Sequence, residues 1–380
     1  VCRCGLHSAM AAQQRRLSAT LAHLAHGDVG GAPIFGAMRA AGAAAASPEA
    51  ALDGAPRYAH RDYSPEEVDG YVEQLQTEGW VVLPNAVEPE LVSALIGASD
   101  RLMAAEGDGD VGRMLGGQAL NSYAVGKDPV YWELLANANF LAVARGFLGF
   151  DFLLSSSQTR NVHPGCSEQG FHTVSAQRPL FPWPVSCPRV TDAPAGAQDD
   201  GLYRYTPELR ELFPRPQRVQ LSLVAGVALT DFTSSNGATV IFPGSHEWQE
   251  DPGEVVPVPL VDPALKDPIP PGNIKLREWA KEHKGVEPIR ATMKAGSIVM
   301  WAGGTWHGGG AFTEGTEDRT SVLFNCTRGI FRTQENVMVQ LPHDMVAQMP
   351  PDVQRLVGYG QAGGLGHANG KDPATLLGEG

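Results

Sequence analysis

Positive charge is in short supply in this chain. Its 380 residues carry 29 Lys and Arg against 42 Asp and Glu, a formal net charge of -13. Neutralising a phosphate backbone requires the opposite imbalance, which argues against nucleic acid as a partner. Long apolar runs are missing too: nowhere do about 18 consecutive apolar residues occur, the length a membrane-spanning helix needs. Cysteine is sparse, with Cys2, Cys4, Cys166, Cys187 and Cys326 odd in number and widely spread. That pattern is no disulfide framework and reads as free thiols from a reducing compartment. A small-molecule substrate is the partner class that remains, with the oligomeric state left unknown.

Glycine (44) and proline (29) are plentiful, which points to turns and long loops rather than to a helical bundle. Residues 1–55 are Ala- and Gly-rich and acid-poor, with Asp28 alone before Glu49 and arginines at 3, 15, 16 and 39; the first methionine is Met10. This lead is expected to be a disordered or transit-like tail, ahead of a folded region over 56–380. A cytoplasmic location follows, or an organelle if the lead is a transit peptide.

Order is expected to begin at Tyr63-Ser64-Pro65-Glu66-Glu67. There Ser64 can cap a helix, Pro65 suits its first position and Glu67 completes a capping box. A short β run over 79–84 follows, then a helix from about Glu88 through Leu102 and helical spacing over 129–147. After residue 150 the pattern changes to short β-type runs between Pro/Gly turns: 152–155, 219–229, 238–242, 289–293, 297–301 and 320–327. Several short strands of this kind suggest a barrel or jelly roll. Insertions are expected at about 189–216 and 250–286, the second with a helix over 274–283.

Most of the eleven histidines have ordinary explanations, but two stand in informative surroundings. In the run from Val299 to Gly310, a β segment reaches a glycine turn, then Trp306, His307 and three glycines. Those glycines are expected to leave room for a metal and ligand beside the imidazole. Arg319-Thr320-Ser321 then opens another strand. Alternate residues of a strand share a face, so Arg319 and Ser321 would project together into the interior. A guanidinium fork beside a hydroxyl is a receptor for a carboxylate.

These residues resemble the phytanoyl-CoA dioxygenase family of Fe(II)/2-oxoglutarate-dependent oxygenases. Thr230 to Thr239 with its Asn236-Gly237 turn, Pro243-Gly244-Ser245-His246, the strand over 79–84 between two helices, Glu335-Asn336, the run 356–360 and Gly370-Lys371-Asp372-Pro373 are similar as well, over roughly residues 64 to 377. The resemblance implies a mainly β fold with flanking helices, a double-stranded β-helix (jelly roll, cupin-like). It also implies a His-x-Asp … His iron triad. His172 and His307 would bind the metal, with His163 and His246 as family background. Arg319 and Ser321 would hold 2-oxoglutarate, and Trp301, Trp306 and Phe324 would wall the pocket. The substrate implied is a small or acyl-type organic molecule, to be hydroxylated.

Pro164-Gly165, Gln169 and Phe181-Pro182-Trp183-Pro184 set the frame, and the triad's aspartate falls on Val174. Three readings are open. Another carboxylate (Glu168, Asp192, Asp199 or Asp200) supplies the third ligand; or two histidines hold iron with an anion in the vacant place; or the chain is a non-catalytic, ligand-binding relative.

Residues 1–55 lack the apolar periodicity that offsets chain entropy, so deleting them is expected to move the thermal midpoint by no more than about two degrees, whereas a loss of about ten would show a docked segment.

Overall fold

The structure, a computed structural model, describes residues 62–106, 119–173, 220–249, 269–362 and 364–378. The proposed tail, the first insertion and Val174 lie outside the described residues.

Helix α1 (Pro65–Glu78) starts as its sequence requires: Ser64 Oγ accepts from the Glu67 amide while the Glu67 carboxylate accepts from the Ser64 amide. Gly79, at φ 73, ends it. Strand β1 (Trp80–Leu83) and helix α2 (Pro89–Glu106) follow, then strand β2 (Ala119–Ser122). The stretch expected to be one helix over 129–147 is two, α3 (Val130–Leu135) and α4 (Ala138–Leu148). Asn137 makes the break by capping α4, its Oδ1 accepting from the Phe140 amide at 2.9 Å while its Nδ2 donates to Ala86 O. Among the described residues no helix is long and apolar enough to cross a membrane.

Strand β3 (Leu153–Val162) is much longer than the β run over 152–155. Strands β4 (Ser222–Ala228) and β5 (Val240–Ile241), helix α5 (Pro271–Lys284), and strands β6 (Ile289–Arg290), β7 (Ile298–Ala302), β8 (His307–Gly308) and β9 (Arg319–Thr327) complete the core. Two sheets result, a six-stranded one ordered β1-β7-β4-β9-β3-β2 and a three-stranded one ordered β6-β5-β8. Every pairing is antiparallel. The fold is therefore mainly antiparallel sheet with flanking helices.

The register sorts the large sheet's side chains into two populations. Val81, Met300, Ala225 and Phe324 stand in one row across β1, β7, β4 and β9; Leu83, Ile298, Val227 and Val322 stand in another. Both rows are buried against Leu75, Leu91, Leu134 and Phe140 of the helices. The intervening residues face the other way. Val82, Val299, Val224, Trp301 and Ala228 pack with Phe232, Ala238, Ile241, Ala291 and Met293, which belong to the small sheet and its connections. An interior between two sheets follows directly from period-two alternation.

The chain returns to β3 after β9. The Gln334 amide donates to Ser155 Oγ at 2.9 Å and the Glu335 amide to Ser155 O at 2.8 Å, while Ser157 N donates to Glu335 Oε2 at 3.3 Å. Burial pushes the Glu335 carboxyl up to about 7, against the opposing pull of its backbone hydrogen bonds. A carboxyl raised in this way binds its proton more tightly in the folded chain. Its contribution is fully present below the ordinary value of 4.5 and is lost as pH rises through about 7. Glu335→Gln is expected to flatten the fall in chemical-denaturation stability across that window. A variant as steep as the natural protein would contradict it.

Candidate active site

His172 and His307 come together by backbone pairing. They form an isolated antiparallel bridge in which His172 N donates to His307 O at 2.8 Å and His307 N to His172 O at 2.9 Å. Their rings lie 4.5 Å apart between centroids, tilted by 52°. Each imidazole is oriented alike: His172 Nδ1 bonds Gly170 O at 2.8 Å and His307 Nδ1 bonds Thr305 O at 2.9 Å. An Nδ1–H donating to a carbonyl leaves Nε2 as the lone-pair nitrogen, the tautomer that a metal ligand needs. Burial, then the neighbouring His172, hold the His307 pKa well below 6.5, so its ring is neutral at physiological pH. Two imidazoles with Nε2 free to offer a lone pair thus stand side by side, a donor set of the kind a divalent cation takes. No third His, Cys, Asp or Glu joins them among the described residues.

Glu168, one of the carboxylates open as a third ligand, is engaged elsewhere. It is fully buried, with Oε1 accepting from Asn273 Nδ2 at 2.7 Å and Oε2 from Arg277 at 2.7 Å. Asn273 also accepts from the Phe171 amide and donates to Gln169 O, so α5 clamps the segment leading to His172. Nothing in the sequence around Asn273 distinguished it; it reads as one polar residue at the start of a helix in an insertion.

Arg319 and Ser321 share the inner face, as expected. Arg319 is 3% exposed; its Nη1 donates to Ser321 Oγ at 3.1 Å and its Nη2 to the carbonyl of Gly237 at 2.8 Å. The φ of 83 at Gly237 is left-handed, which a glycine adopts without strain in this turn. The guanidinium also lies over the Phe232 ring, 4.2 Å from its centroid. Burial, and then the positive charge of Arg160, bring its pKa down to about 9, which leaves it charged at neutral pH.

Two expectations need correction. Trp301 does stand at the site, its ring 4.8 Å from that of His307. Phe324, however, is one residue out of phase with Ser321 and packs under the helices, while Trp306 packs with Trp279 and Phe242 beneath α5. Gly308 and Gly310, two of the glycines after His307, do not open space for a ligand either. Gly308 stands opposite Val240 on the face away from the interior, and a Cβ there would meet Gln169 O at 2.9 Å. Close backbone packing is what requires glycine. His163 pairs with Asp318 at 2.8 Å and His246 with Gln76 O at 2.9 Å, so both have structural partners.

Glu168→Ala would strand Asn273 and Arg277, and leaving buried partners unsatisfied costs about 1–3 kcal/mol. A lower thermal midpoint with unchanged Fe(II) affinity is expected from unfolding scans and anaerobic titration. Loss of Fe(II) binding at unchanged stability would make Glu168 a ligand after all.

The model of the family described as phytanoyl-CoA dioxygenase (PhyH) matches residues 75–320. Among curated proteins, the chain is 30% identical over 154 residues to dioxygenase trt7 of Aspergillus terreus, covering 39% of this chain and 41% of that one. It is 26% identical over 153 residues to the iron/alpha-ketoglutarate-dependent dioxygenase okaE of Penicillium ochrochloron, covering 40% and 41%. The match thus spans about two fifths of these relatives' own length. A solved structure of the epimerase SnoN in complex with Fe3+, alpha ketoglutarate and nogalamycin RO aligns with a TM-score of 0.46 and 18% identity, covering 70% of this chain and 85% of that one. With the family model matched over more than half its length, the chain belongs to the phytanoyl-CoA dioxygenase family.

Proposed function

We propose that this protein is an Fe(II)/2-oxoglutarate-dependent oxygenase acting on a small or acyl-type organic substrate, and we read its two sheets as a double-stranded β-helix. The observation carrying this is one interior that holds two imidazoles whose Nδ1 atoms both bond backbone carbonyls and, on β9 of the facing sheet, an arginine fork backed by a serine hydroxyl. The relatives' printed names, which include iron/alpha-ketoglutarate-dependent dioxygenases, support the same reading.

His172 and His307 would hold the metal through Nε2, each ring kept in place by its Nδ1 bond to a carbonyl of its own segment. Arg319, braced by Ser321 and Gly237, would hold the distal carboxylate of 2-oxoglutarate. When bound, iron and 2-oxoglutarate supply the oxidising chemistry. The chain's part is to orient them and exclude water, which Val82, Val299 and Ile241 do by lining the interior with apolar surface.

A second reading, a ligand-binding protein without turnover, is favoured by one feature: Val174 stands where the family's triad has its aspartate, and a valine side chain offers no lone pair. Oxygen-dependent succinate release after anaerobic reconstitution separates the two.

If Arg319 holds 2-oxoglutarate, Arg319→Leu should fold and yet bind it more weakly, since removing one partner of a charge-assisted pair costs about 2–5 kcal/mol. Equal affinities by calorimetry would rule the assignment out.

A further inference from the structure

A second arginine shares the interior with Arg319. Arg160 stands directly opposite Ser321 in the β3–β9 register, and Ser321 stands opposite Ala228 of β4. All three therefore face inward, and directly paired side chains lie about 4.5–5.5 Å apart at Cβ. Burial brings the Arg160 pKa down to about 10, so it too is charged at neutral pH. Its charge is felt at both His307 and Arg319.

Among the described residues Arg160 has no counterion to explain it. Its Nε is shut off from water without a hydrogen-bond partner, and no hydrogen bond or ion pair engages its guanidinium among the described residues. No Asp or Glu occupies an inward position of β1, β3, β4, β7 or β9. Among the described residues, three buried nitrogens on this face lack a partner, Arg160 Nε, Arg319 Nε and Trp301 Nε1, and each is an N–H donor; the Ser222 hydroxyl also lacks one but lies at the other end of β4, opposite Thr327. Arg160 is half-buried, with its Nε out of reach of water, and an arginine serving only the fold would be expected to carry an acceptor there. Donors without acceptors describe a receptor for an anion, and a guanidinium fork suits a carboxylate.

We propose that Arg160 is a second carboxylate receptor, so that the pocket takes two carboxylates at once, one on Arg319 with Ser321 and one on Arg160. This rests on the reading of Arg319 above. The two carboxylates belong either to the ends of one dicarboxylate, such as 2-oxoglutarate, or to 2-oxoglutarate and a separate organic acid that is the substrate.

The test is calorimetry on metal-free full-length protein, with 2-oxoglutarate, glutarate and the mono-acid pentanoate as probes. Arg160→Met, Arg160→Gln and Arg160→Lys are compared with the natural chain, and thermal midpoints are read without ligand. Removing the unpaired charge in Arg160→Met or Arg160→Gln is expected to raise the ligand-free midpoint, which loss of a structural contact would not do. If one dicarboxylate spans both arginines, Arg160→Met weakens 2-oxoglutarate and glutarate about tenfold or more and leaves pentanoate unchanged. If the second carboxylate is a separate acid, 2-oxoglutarate binds as before, and the variant loses pentanoate binding to the 2-oxoglutarate-loaded protein. In either arm Arg160→Lys, which keeps the charge, recovers part of the loss. The proposal is overturned if both neutral variants bind 2-oxoglutarate, and bind pentanoate to the loaded protein, within about twofold of the natural chain. Failure of the Arg319 reading looks different: Arg319→Leu would bind 2-oxoglutarate normally while Arg160→Met would not.

Discussion

The two backbone hydrogen bonds between His172 and His307 tie together segments far apart in the chain, and the rest of the site depends on them. They fix the spacing of the imidazoles before any metal is considered. They also bring the segment after β3 onto the edge of the small sheet, where β8 pairs with β5. Residues on either side of the bridge are held independently: Asn273 of α5 grips Gln169 and Phe171, and Ser245 Oγ accepts from the Trp306 amide at 2.8 Å. A pair of imidazoles set in place by backbone and buried polar contacts is preorganised, and on the proposed reading little ordering is left for a cation to impose.

Strand parity does the corresponding work on the large sheet. A register shift of one residue would carry Arg319, Ser321 and Arg160 out of the interior and bring Thr320, Val322 and Asn161 in. The continuous apolar row under the helices, from Val81 to Phe324, opposes any such slip because it would have to exchange places with charged and polar groups. The hydrophobic core thus selects which side of the sheet becomes the site, and its composition is part of the mechanism.

Much of this was legible in the sequence. The Ser64–Glu67 capping box, the strand at 80–83, most core strands and the inward pairing of Arg319 with Ser321 all follow from local pattern and alternation. Arg160 was not legible, because the strand was read as ending near Ser155 and a lone arginine beyond it looks like a loop residue. Its meaning comes only from non-local pairing with Ser321. Phe324 and Trp306 were misplaced for a related reason: nearness in the chain to a ligand says little when neighbours alternate between faces. Asn273 and the Gly308 contact depend on tertiary packing that no short motif encodes.

The interior is electropositive, with two charged arginines beside the imidazoles of His172 and His307 and no compensating carboxylate at the inward strand positions. A cation alone is opposed there, whereas a cation arriving with carboxylates is not, so metal and acid should bind with positive coupling. On the proposed reading, His172 and His307 form a metal site that lacks one ligand, at Val174. Anaerobic Fe(II) titration of the natural chain and of Val174→Asp, both with 2-oxoglutarate present, tests it most directly. Changes even around a metal's ligands shift affinity about 10- to 100-fold, so Val174→Asp is expected to tighten Fe(II) by at least about tenfold. Weak Fe(II) binding in both chains would contradict the account, because it would mean that the two imidazoles do not form a metal site.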